Sequence, residues 1–284
     1  MKILSKSIVA DVQNTRLTKY VIDSPMIAKK AQPGQYVILM VKEEGKRIPL
    51  TLVDSDKEKG TITLIAQELG YSTKLLGTLK EGDSLYSLAG PLGQPTHIDN
   101  YGKVLIVGGG VGIAELYPIV KALKQAGNTI YSILGSRTSQ LLILKDEIGK
   151  YSDQLFITTD DGSEGEKGFV STVLDRILKK DPDFNLVHCV GPVPMMRVVS
   201  NVTKPYKIKT IVCLNAIMLD GTGMCGGCRI IEDGKTKFCC VDGPDFDGHL
   251  VDFDDLVNRQ KRFVEEEKQS LKKLSNHECK VFSN

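Results

Sequence analysis

Residues 103–112 read KVLIVGGGVG, and this stretch decides the fold class of the chain. Its apolar run predicts a buried strand, and the glycines that end the run predict a tight turn. Residues 114–127, AELYPIVKALKQAG, then carry apolar side chains at helical spacing. A buried strand, a glycine turn and an amphipathic helix in this order are typical of a parallel sheet covered by helices.

The same alternation continues to about residue 210. The predicted strands are TIYSILG, QLFITTDDG and LVHCVG, and the predicted helices are LLILKDEIGKY and STVLDRILKK. Strands that alternate with helices place those helices on both faces of one parallel sheet. We therefore predict a Rossmann-like α/β domain over residues 99–210.

Residues 1–98 show a different pattern, in which short β-prone runs are separated by proline, glycine and charged turns. The runs are VIDSPMI, QYVILMV, TITLIAQ and DSLYSLAG. Only STKLLGTL has a helical pattern in this part of the sequence. Many short strands with little helix are typical of a closed antiparallel β-barrel, which we predict for residues 1–98.

Residues 211–250 are rich in glycine and cysteine and have almost no periodic apolar pattern. A segment that cannot build its own core needs a metal or a host domain. Residues 251–284 follow, with a charged helical pattern from Asp254 to about Lys273. This tail is either a solvated terminal helix or part of an interface with a second subunit.

The composition excludes several classes of protein. Of the 284 residues, 41% are apolar and 25% charged, and the formal net charge of +2 gives no field that would attract nucleic acid. No apolar run reaches the roughly 18–20 residues that span a bilayer. The N-terminus turns polar too early for a signal peptide. The sequence therefore predicts a cytoplasmic protein with no nucleic-acid or membrane partner.

The cysteines give the strongest chemical signal, because four of the seven lie within 16 residues of one another. Clustered cysteines in a reducing compartment indicate metal more often than disulfides. Asp220, Cys225 and Cys228 have the x4, x2 spacing of plant-type 2Fe–2S sites, with aspartate in the first position. A structural zinc site is the alternative, although adjacent Cys239 and Cys240 form an awkward zinc pair. Spacing alone does not choose between Cys239 and Cys240.

The ends of the α/β strands carry candidate nucleotide ligands. After the first strand, glycines at 108, 109, 110 and 112 let backbone amides approach a pyrophosphate at a helix N-terminus, unless they only form a tight turn. The later candidates are Gly135-Ser136-Arg137, Asp160-Asp161-Gly162 and Gly191-Pro192. Arg137 could instead form a surface ion pair, and the two aspartates could cap a turn. No residue decides between NADH and NADPH.

The barrel carries three weaker motifs. RIPLT spans Arg47 to Thr51, GYST spans Gly70 to Thr73, and GPLG spans Gly90 to Gly93. An arginine together with a helix N-terminus can hold a pyrophosphate. A plain surface charge at Arg47 and a plain turn at GPLG are the alternatives.

Together these motifs resemble the ferredoxin–NADP reductase superfamily over nearly the whole chain. The resemblance is greatest to the branch of the sulfide dehydrogenase β-subunit and the dihydroorotate dehydrogenase electron-transfer subunit. RIPLT is similar to the flavin motif R-x-Y-[ST], and GYST to the phosphate-binding motif G-x-x-[ST]. GGGVGIAELYP is similar to the NAD(P) loop, with Glu115 where proline is usual. GPVPMM resembles the motif flanking the nicotinamide.

The cysteine loop narrows the resemblance further. CVDGP is similar to the last cluster-ligand motif, and this resemblance selects Cys240. LDGTGMCGGCR, with Asp220 in the place of a cysteine, is similar to the small (α) subunit of NADH-dependent reduced ferredoxin:NADP oxidoreductase. That enzyme family bifurcates electrons between flavins.

The resemblance implies FAD and a 2Fe–2S cluster as cofactors, with NAD(H), or NADP(H), as substrate. The implied FAD-binding residues are Arg47, Pro49, Leu50, Thr51, Ile65, Ala66, Gly70, Ser72, Thr73, Gly90, Pro91, Leu92 and Gly93. The implied NAD-binding residues are Gly108, Gly109, Gly110, Val111, Gly112, Gly135, Ser136, Arg137, Asp160, Asp161, Gly162, Gly191, Pro192 and Met195. The implied cluster ligands are Asp220, Cys225, Cys228 and Cys240.

The resemblance also implies the chemistry, with the direction left open because electron flow within a bifurcating assembly could run the other way or branch. NADH passes hydride to FAD, and the cluster relays single electrons to a larger flavoprotein/iron–sulfur subunit that resembles the glutamate synthase small subunit, in a heterodimer. No general acid–base dyad is expected. The alternative interpretations are the electron-transfer subunit of an NAD-linked dihydroorotate dehydrogenase, a stand-alone ferredoxin or flavin reductase, and a redox-sensing or scaffold subunit.

Overall fold

The computed structural model describes residues 1–12 and 15–281. Its first part contains antiparallel strands and two short helices. The strands are β1 (Ile3–Val12), β2 (Thr15–Asp23), β3 (Tyr36–Met40), β4 (Ile48–Thr51), β5 (Asp54–Asp56), β6 (Thr61–Gln67) and β7 (Ser87–Leu92). The helices are α1 (Pro25–Lys30) and α2 (Tyr71–Thr78).

The predicted antiparallel barrel is confirmed. Within the described residues its strands form two sheets, with the orders β1-β2-β6-β5 and β4-β3-β7. Side chains from both sheets, among them Ile22, Leu39 and Leu64, are buried in one apolar core. Successive side chains of a strand point to opposite faces, so Thr61 and Thr63 of β6 lie on the face away from Ile62 and Leu64.

The prediction of a strand throughout VIDSPMI is wrong at its second half. Strand β2 ends at Asp23, and helix α1 begins at Pro25. Proline suits the first position of a helix because its φ is already helical and its missing N–H costs no intrahelical hydrogen bond. Ile27 and Ala28 then face the barrel core.

The second part alternates strands and helices as predicted. The strands are β8 (Lys103–Gly109), β9 (Thr129–Ser136), β10 (Gln154–Thr159), β11 (Glu166–Lys167), β12 (Leu186–Val190) and β13 (Lys209–Cys213). The helices are α3 (Ile113–Gln125), α4 (Lys145–Gly149), α5 (Val170–Lys180) and α6 (Val193–Thr203). The strands are parallel, in the order β11-β10-β9-β8-β12-β13. The strand order reverses between β8 and β12, and such a switch point opens a crevice at the carboxyl ends of the strands.

The helix predicted over LLILKDEIGKY is much shorter in the structure, where only Lys145–Gly149 is α-helical. Leu144, immediately before it, has a φ of 55°, which interrupts a right-handed helix. The leucine-rich start instead buries Leu141 and Ile143 in the core of the domain.

The cysteine-rich segment does have structure, and it is joined to the α/β domain. Its elements are β14 (Arg229–Glu232), β15 (Lys235–Phe238), α7 (Cys239–Asp242) and β16 (Asp245–Asp247), followed by α8 (Phe253–Gln260) and α9 (Val264–Val281). Strand β16 pairs antiparallel with β13, which itself crosses the predicted boundary at residue 210. The host domain is therefore the parallel sheet. The tail predicted as one helix is two helices.

None of the helices in residues 1–12 and 15–281 is both long and apolar enough to cross a membrane.

Candidate functional site

A cleft of about 2310 Å³ lies between the barrel and the carboxyl ends of the parallel strands. Its barrel wall comes from β4, the end of β6 and the start of α2. Its other wall comes from the loops that follow β8, β9 and β12 and from the residues that follow β13. The cleft is therefore the crevice at the switch point of the parallel sheet, closed on one side by the barrel.

Most of the residues predicted to bind FAD line this cleft. They are Arg47, Pro49, Leu50, Thr51, Ile65, Gly70, Ser72 and Thr73. Ala66 is fully buried in the barrel core instead. The GPLG motif, residues 90–93, covers the end of β7 and lies against the cysteine-rich segment, where the Gln94 N–H donates to the carbonyl of Gly243 at 2.7 Å. The structure thus brings two of the three barrel motifs, RIPLT and GYST, to the cleft and places the third, GPLG, beside the cysteine-rich segment.

Thr73 organises the N-terminus of α2, which faces the cleft. Its Oγ1 accepts hydrogen bonds from the N–H groups of Leu69 and Gly70, both at 3.0 Å. A threonine three residues into a helix that bonds back to the preceding backbone fixes the entry angle of the chain. The first turn, Tyr71 to Thr73, lines the cleft, and helix N-termini bind anions through their free amides.

Most of the residues predicted to bind NAD also line the cleft. They are Gly109, Gly110, Val111, Gly112, Gly135, Ser136, Arg137, Asp160, Gly191, Pro192 and Met195. Gly108 lies inside β8, where a Cβ would stand 2.6 Å from Leu116 Cδ1. Its role in the structure is close packing between strand and helix. Asp161 and Gly162 lie beyond the cleft in the turn after β10.

Two of the predicted nucleotide ligands already have protein partners. Asp161 accepts hydrogen bonds from the N–H and the hydroxyl of Ser163, at 2.9 and 2.6 Å, which lower its pKa. Arg137 donates from Nη2 to Thr15 Oγ1 at 2.6 Å and so ties the parallel sheet to the barrel. Their assignment to NAD stays a prediction.

The cysteine loop places Asp220 and three thiols in one region. The Asp220 carboxylate accepts hydrogen bonds from the N–H groups of Thr222 and Cys225, both at 2.9 Å, and these lower its pKa. Cys225 is exposed, whereas Cys228 and Cys240 are buried. The Cys240 N–H donates to Cys228 Sγ at 3.4 Å. Gly221 and Gly223 have φ values of 76° and 84°, which only glycine adopts without strain.

This donor set fits an iron–sulfur cluster. In the part of the chain that the structure describes, no three His, Cys, Asp or Glu side chains converge on one metal ion. A 2Fe–2S cluster divides its four protein ligands between two irons, so pairs are sufficient, and Cys228 with Cys240 is such a pair. Asp220 and Cys225 border a cavity of about 560 Å³. Each Asp220 oxygen retains a lone pair after its hydrogen bond.

Tyr36 connects the cleft to the cysteine loop, a role that no sequence motif indicates. It lines the cleft and is otherwise buried. Its hydroxyl donates to the carbonyl of Cys240 at 3.0 Å and lies 3.5 Å from the carbonyl of Gly221. Burial raises the pKa of Tyr36, so the phenol stays protonated and keeps donating. The Tyr36 side chain therefore contacts both the cleft and the cysteine loop.

A buried acid and thiol are the second feature that the sequence missed. Glu115, at the start of α3, is hydrogen-bonded to the Cys213 thiol, and the Thr51 hydroxyl donates to its Oε2 at 3.4 Å. All three residues line the cleft. Burial, followed by the charge of Asp245, raises the pKa of Glu115 to about 7. The sequence led us to expect no general acid–base dyad, whereas the structure places Glu115 and Cys213 together as a candidate pair.

Helix α9 contributes a third unexpected wall of the cleft. Its lining residues, together with the residue just before it, are Phe263, Glu266, Glu267, Ser270 and Leu271. Arg262, one residue earlier, donates from Nη2 to the carbonyl of Gly227 at 2.7 Å. The tail is therefore neither a free helix nor separate from the site, because it joins the cysteine loop to the cleft.

Comparison with known proteins gives two family models that match this chain. The oxidoreductase NAD-binding domain matches residues 106–201. The iron–sulfur cluster binding domain of dihydroorotate dehydrogenase B matches residues 215–252. These ranges contain most of the cleft loops of the parallel sheet and the whole cysteine loop.

Relatives match over most of the chain. A Thermotoga maritima protein named as a homolog of the electron transfer subunit of dihydroorotate dehydrogenase B (NAD(+)) is 46% identical over 253 residues, 89% of each chain. The electron transfer subunit of the Streptococcus mutans enzyme is 32% identical, over 83% of this chain and 93% of its own. A solved structure of NADH-dependent reduced ferredoxin-NADP oxidoreductase, described for flavin-based electron bifurcation, is 44% identical with a TM-score of 0.90. It covers 96% of this chain and 97% of its own.

Proposed function

We propose a function from the premise that this chain belongs to the family of dihydroorotate dehydrogenase B electron-transfer subunits, oxidoreductases with an NAD-binding and an iron–sulfur domain. In this proposal it exchanges hydride with NAD(H) at FAD and relays electrons through a 2Fe–2S cluster to a larger partner subunit. The observation that carries it is the single cleft, in which the flavin motif and the nucleotide loops face each other, with Tyr36 leading to the cysteine loop.

The residues of the chain would divide the work as follows. The N-terminus of α2, with Ser72 and Thr73, would hold the FAD pyrophosphate, and the loop Gly109–Gly112 would hold that of NADH. Asp220, Cys225, Cys228 and Cys240 would hold the cluster. When bound, FAD accepts a hydride and releases electrons singly, and the cluster carries one electron at a time. The cleft aligns the reactants and excludes water.

Within this family we propose the bifurcating NADH-dependent ferredoxin:NADP oxidoreductase as the parent complex. Asp220 at the first ligand position supports this choice, as does the 44% identity over nearly the full length of the solved structure. The partner would be a larger flavoprotein/iron–sulfur subunit resembling the glutamate synthase small subunit. A cytoplasmic location stays part of this proposal.

The names of the relatives favour a second candidate, the electron-transfer subunit of an NAD-linked dihydroorotate dehydrogenase. Anaerobic purification with each type of partner subunit separates the two. The bifurcating complex reduces NADP⁺ with electrons from reduced ferredoxin in a reaction that depends on NADH. The alternative enzyme reduces NAD⁺ with electrons from dihydroorotate. A protein without flavin, iron and sulfide after anaerobic purification contradicts both.

Replacement of Asp220 by cysteine is expected to keep a cluster but to change its visible and EPR spectra and its midpoint potential. Thiolate is a softer and more strongly donating ligand than carboxylate, so the electronic structure of the iron it binds must change. The measurement is an EPR-monitored redox titration of the anaerobically purified protein. Asp254→Cys, at an exposed position ion-paired with Arg197, serves as control. A spectrum identical to wild type removes Asp220 from the ligand set.

Replacement of Arg262 by glutamine is expected to lower the midpoint potential of the cluster. Arg262→Lys keeps the positive charge and is expected to leave the potential close to the wild-type value. The guanidinium donates to the carbonyl of Gly227, between Cys225 and Cys228, and its positive charge favours the reduced cluster. Exposed charges contribute about 1 kcal/mol or less to such an equilibrium. The shift in potential therefore stays below about 59 mV, which corresponds to a tenfold change in the equilibrium constant of a one-electron reaction. An equal shift in both variants points to loop geometry instead of charge.

A further inference from the structure

Glu115 lies where three separate parts of the chain meet. It lies in the first turn of α3 in the α/β domain, while Thr51 ends β4 in the barrel and Cys213 ends β13 beside the cysteine-rich segment. Its two carboxylate oxygens are shared between these neighbours, with the Cys213 thiol on Oε1 and the Thr51 hydroxyl on Oε2. Thr51 belongs to the flavin motif, so the carboxyl group stands next to the proposed hydride-accepting site.

The surroundings of Glu115 hold further ionisable groups. In the part of the chain that the structure describes, the groups acting on it are Thr51 from β4, Cys213 from β13 and Asp245 from β16. Asp245 is the direct cross-strand partner of Cys213. Its Oδ1 lies 3.8 Å from Nε2 of buried His188, and neither of these atoms has a hydrogen-bond partner in the described residues. A row of ionisable side chains therefore leads from the cleft into the sheet.

The proposed electron path leaves a proton to be placed. A hydride is one proton and two electrons, and an iron–sulfur cluster carries electrons only. Each hydride taken from NADH and passed on as two single electrons therefore leaves one proton in the cleft. An acceptor works best when its pKa lies near the working pH, and burial and Asp245 bring that of Glu115 to about 7.

We propose that Glu115, positioned by Cys213 and Thr51, accepts this proton, an inference that rests on the proposed function. The C–H bond of NADH breaks and NAD⁺ forms, two electrons pass singly to the cluster and the partner subunit, and the remaining proton forms an O–H bond with the Glu115 carboxylate. Release to solvent restores the carboxylate for the next hydride. Glu115 stands where the family resemblance leads one to expect proline, which has no group able to take a proton.

The test uses the protein purified anaerobically with FAD and cluster, their content measured for every variant. Redox-induced infrared difference spectroscopy follows the C=O stretch of protonated carboxyl groups. Stopped-flow absorbance follows NADH-driven cluster reduction as a function of pH. The variants are Glu115→Gln and Cys213→Ala, with Glu147→Gln at an exposed position of α4 as the matched control.

Glu115→Gln is expected to remove a carboxyl band that shifts in D2O, to slow cluster reduction roughly 100-fold and to flatten its pH profile near neutrality. Cys213→Ala is expected to move the midpoint of that profile to higher pH, because the thiol hydrogen bond lowers the pKa of Glu115. A structural role alone would move neither the band nor the midpoint.

The outcomes separate this inference from the proposed function. A flavin- and cluster-loaded Glu115→Gln protein with the wild-type band and pH profile overturns the inference alone. If that variant does not load its cofactors, an unmoved profile in Cys213→Ala overturns it. Wild-type protein that holds both cofactors but is not reduced by NADH overturns the proposed function and this inference with it.

Discussion

Cys240→Ala is expected to abolish the iron–sulfur cluster, whereas Cys239→Ala is expected to keep it. The Cys240 N–H donates to Cys228 Sγ at 3.4 Å, and the Cys240 thiol lies near the Cys228 thiol, the backbone of Gly223 and the charge of Asp220, so it faces the ligand loop. The Cys239 thiol lies near the backbone of Ala216 and is fully buried in the apolar core. Removing one of four ligands leaves an iron without a complete tetrahedral set.

Iron and sulfide analysis with EPR measures this difference, and flavin absorbance shows whether the barrel is intact. NADH should still bleach the flavin in Cys240→Ala, while transfer to an external one-electron acceptor falls to background. Cys239→Ala is expected to cost about 1 kcal/mol of unfolding free energy, since only one buried sulfur is lost. If Cys239→Ala loses the cluster and Cys240→Ala keeps it, then Cys239 is the cluster ligand and Cys240 is not.

Gly112→Val is expected to weaken NADH binding strongly while leaving FAD bound. A Cβ at Gly112 would stand 2.9 Å from the carbonyl oxygen of Val190 and 3.0 Å from the Cα of Gly191. Both neighbours are backbone atoms, so the side chain can fit only if the two nucleotide loops separate. Overpacking of this kind costs about 1–3 kcal/mol, which corresponds to roughly 5- to 150-fold in Kd if the cost falls on the bound state.

Anaerobic NADH titration of flavin absorbance measures the affinity, and flavin content per chain gives the independent readout. Gly149→Ala is the matched control, since its Cβ would meet only Leu155 Cδ2 at 3.3 Å and Gly149 lies outside the cleft. Unchanged NADH affinity in Gly112→Val would show that the turn after β8 is not the nucleotide loop. Loss of FAD together with NADH binding would place the damage in the fold.

The elements that the sequence predicted best are those with strong local patterns. The runs around β8, β9 and β12 are rich in apolar residues and each runs into glycine, so both strand and turn could be located. Elements with mixed signals were mistaken. Pro25 starts a helix inside a β-prone run, and Leu144 breaks a helical pattern with a positive φ. These local choices are settled by which side chains the surrounding core can bury.

The candidate site shows the same division. Gly70–Thr73, Gly109–Gly112 and the Asp220–Cys228 loop could be located because each motif is contiguous and its spacing alone predicts a turn. The choice between Cys239 and Cys240 as the fourth cluster ligand could not be made from spacing, since the two cysteines are adjacent in the chain. Both thiols are buried in the same core, and only the packing of α7 shows that the Cys240 thiol lies near Gly223 and Asp220 whereas the Cys239 thiol lies near Ala216.

By itself, the sequence determined the β-barrel followed by a parallel sheet, the glycine turns and the cluster loop. Covalent spacing fixes such features because each is formed by neighbours along the chain. Tertiary structure alone decided that Glu115 meets Thr51 and Cys213, that Tyr36 reaches the carbonyl of Cys240, and that α9 lines the cleft. These contacts join residues 64 to 204 positions apart. They exist only after barrel, sheet and cysteine segment pack around shared cores, and no local pattern encodes that meeting.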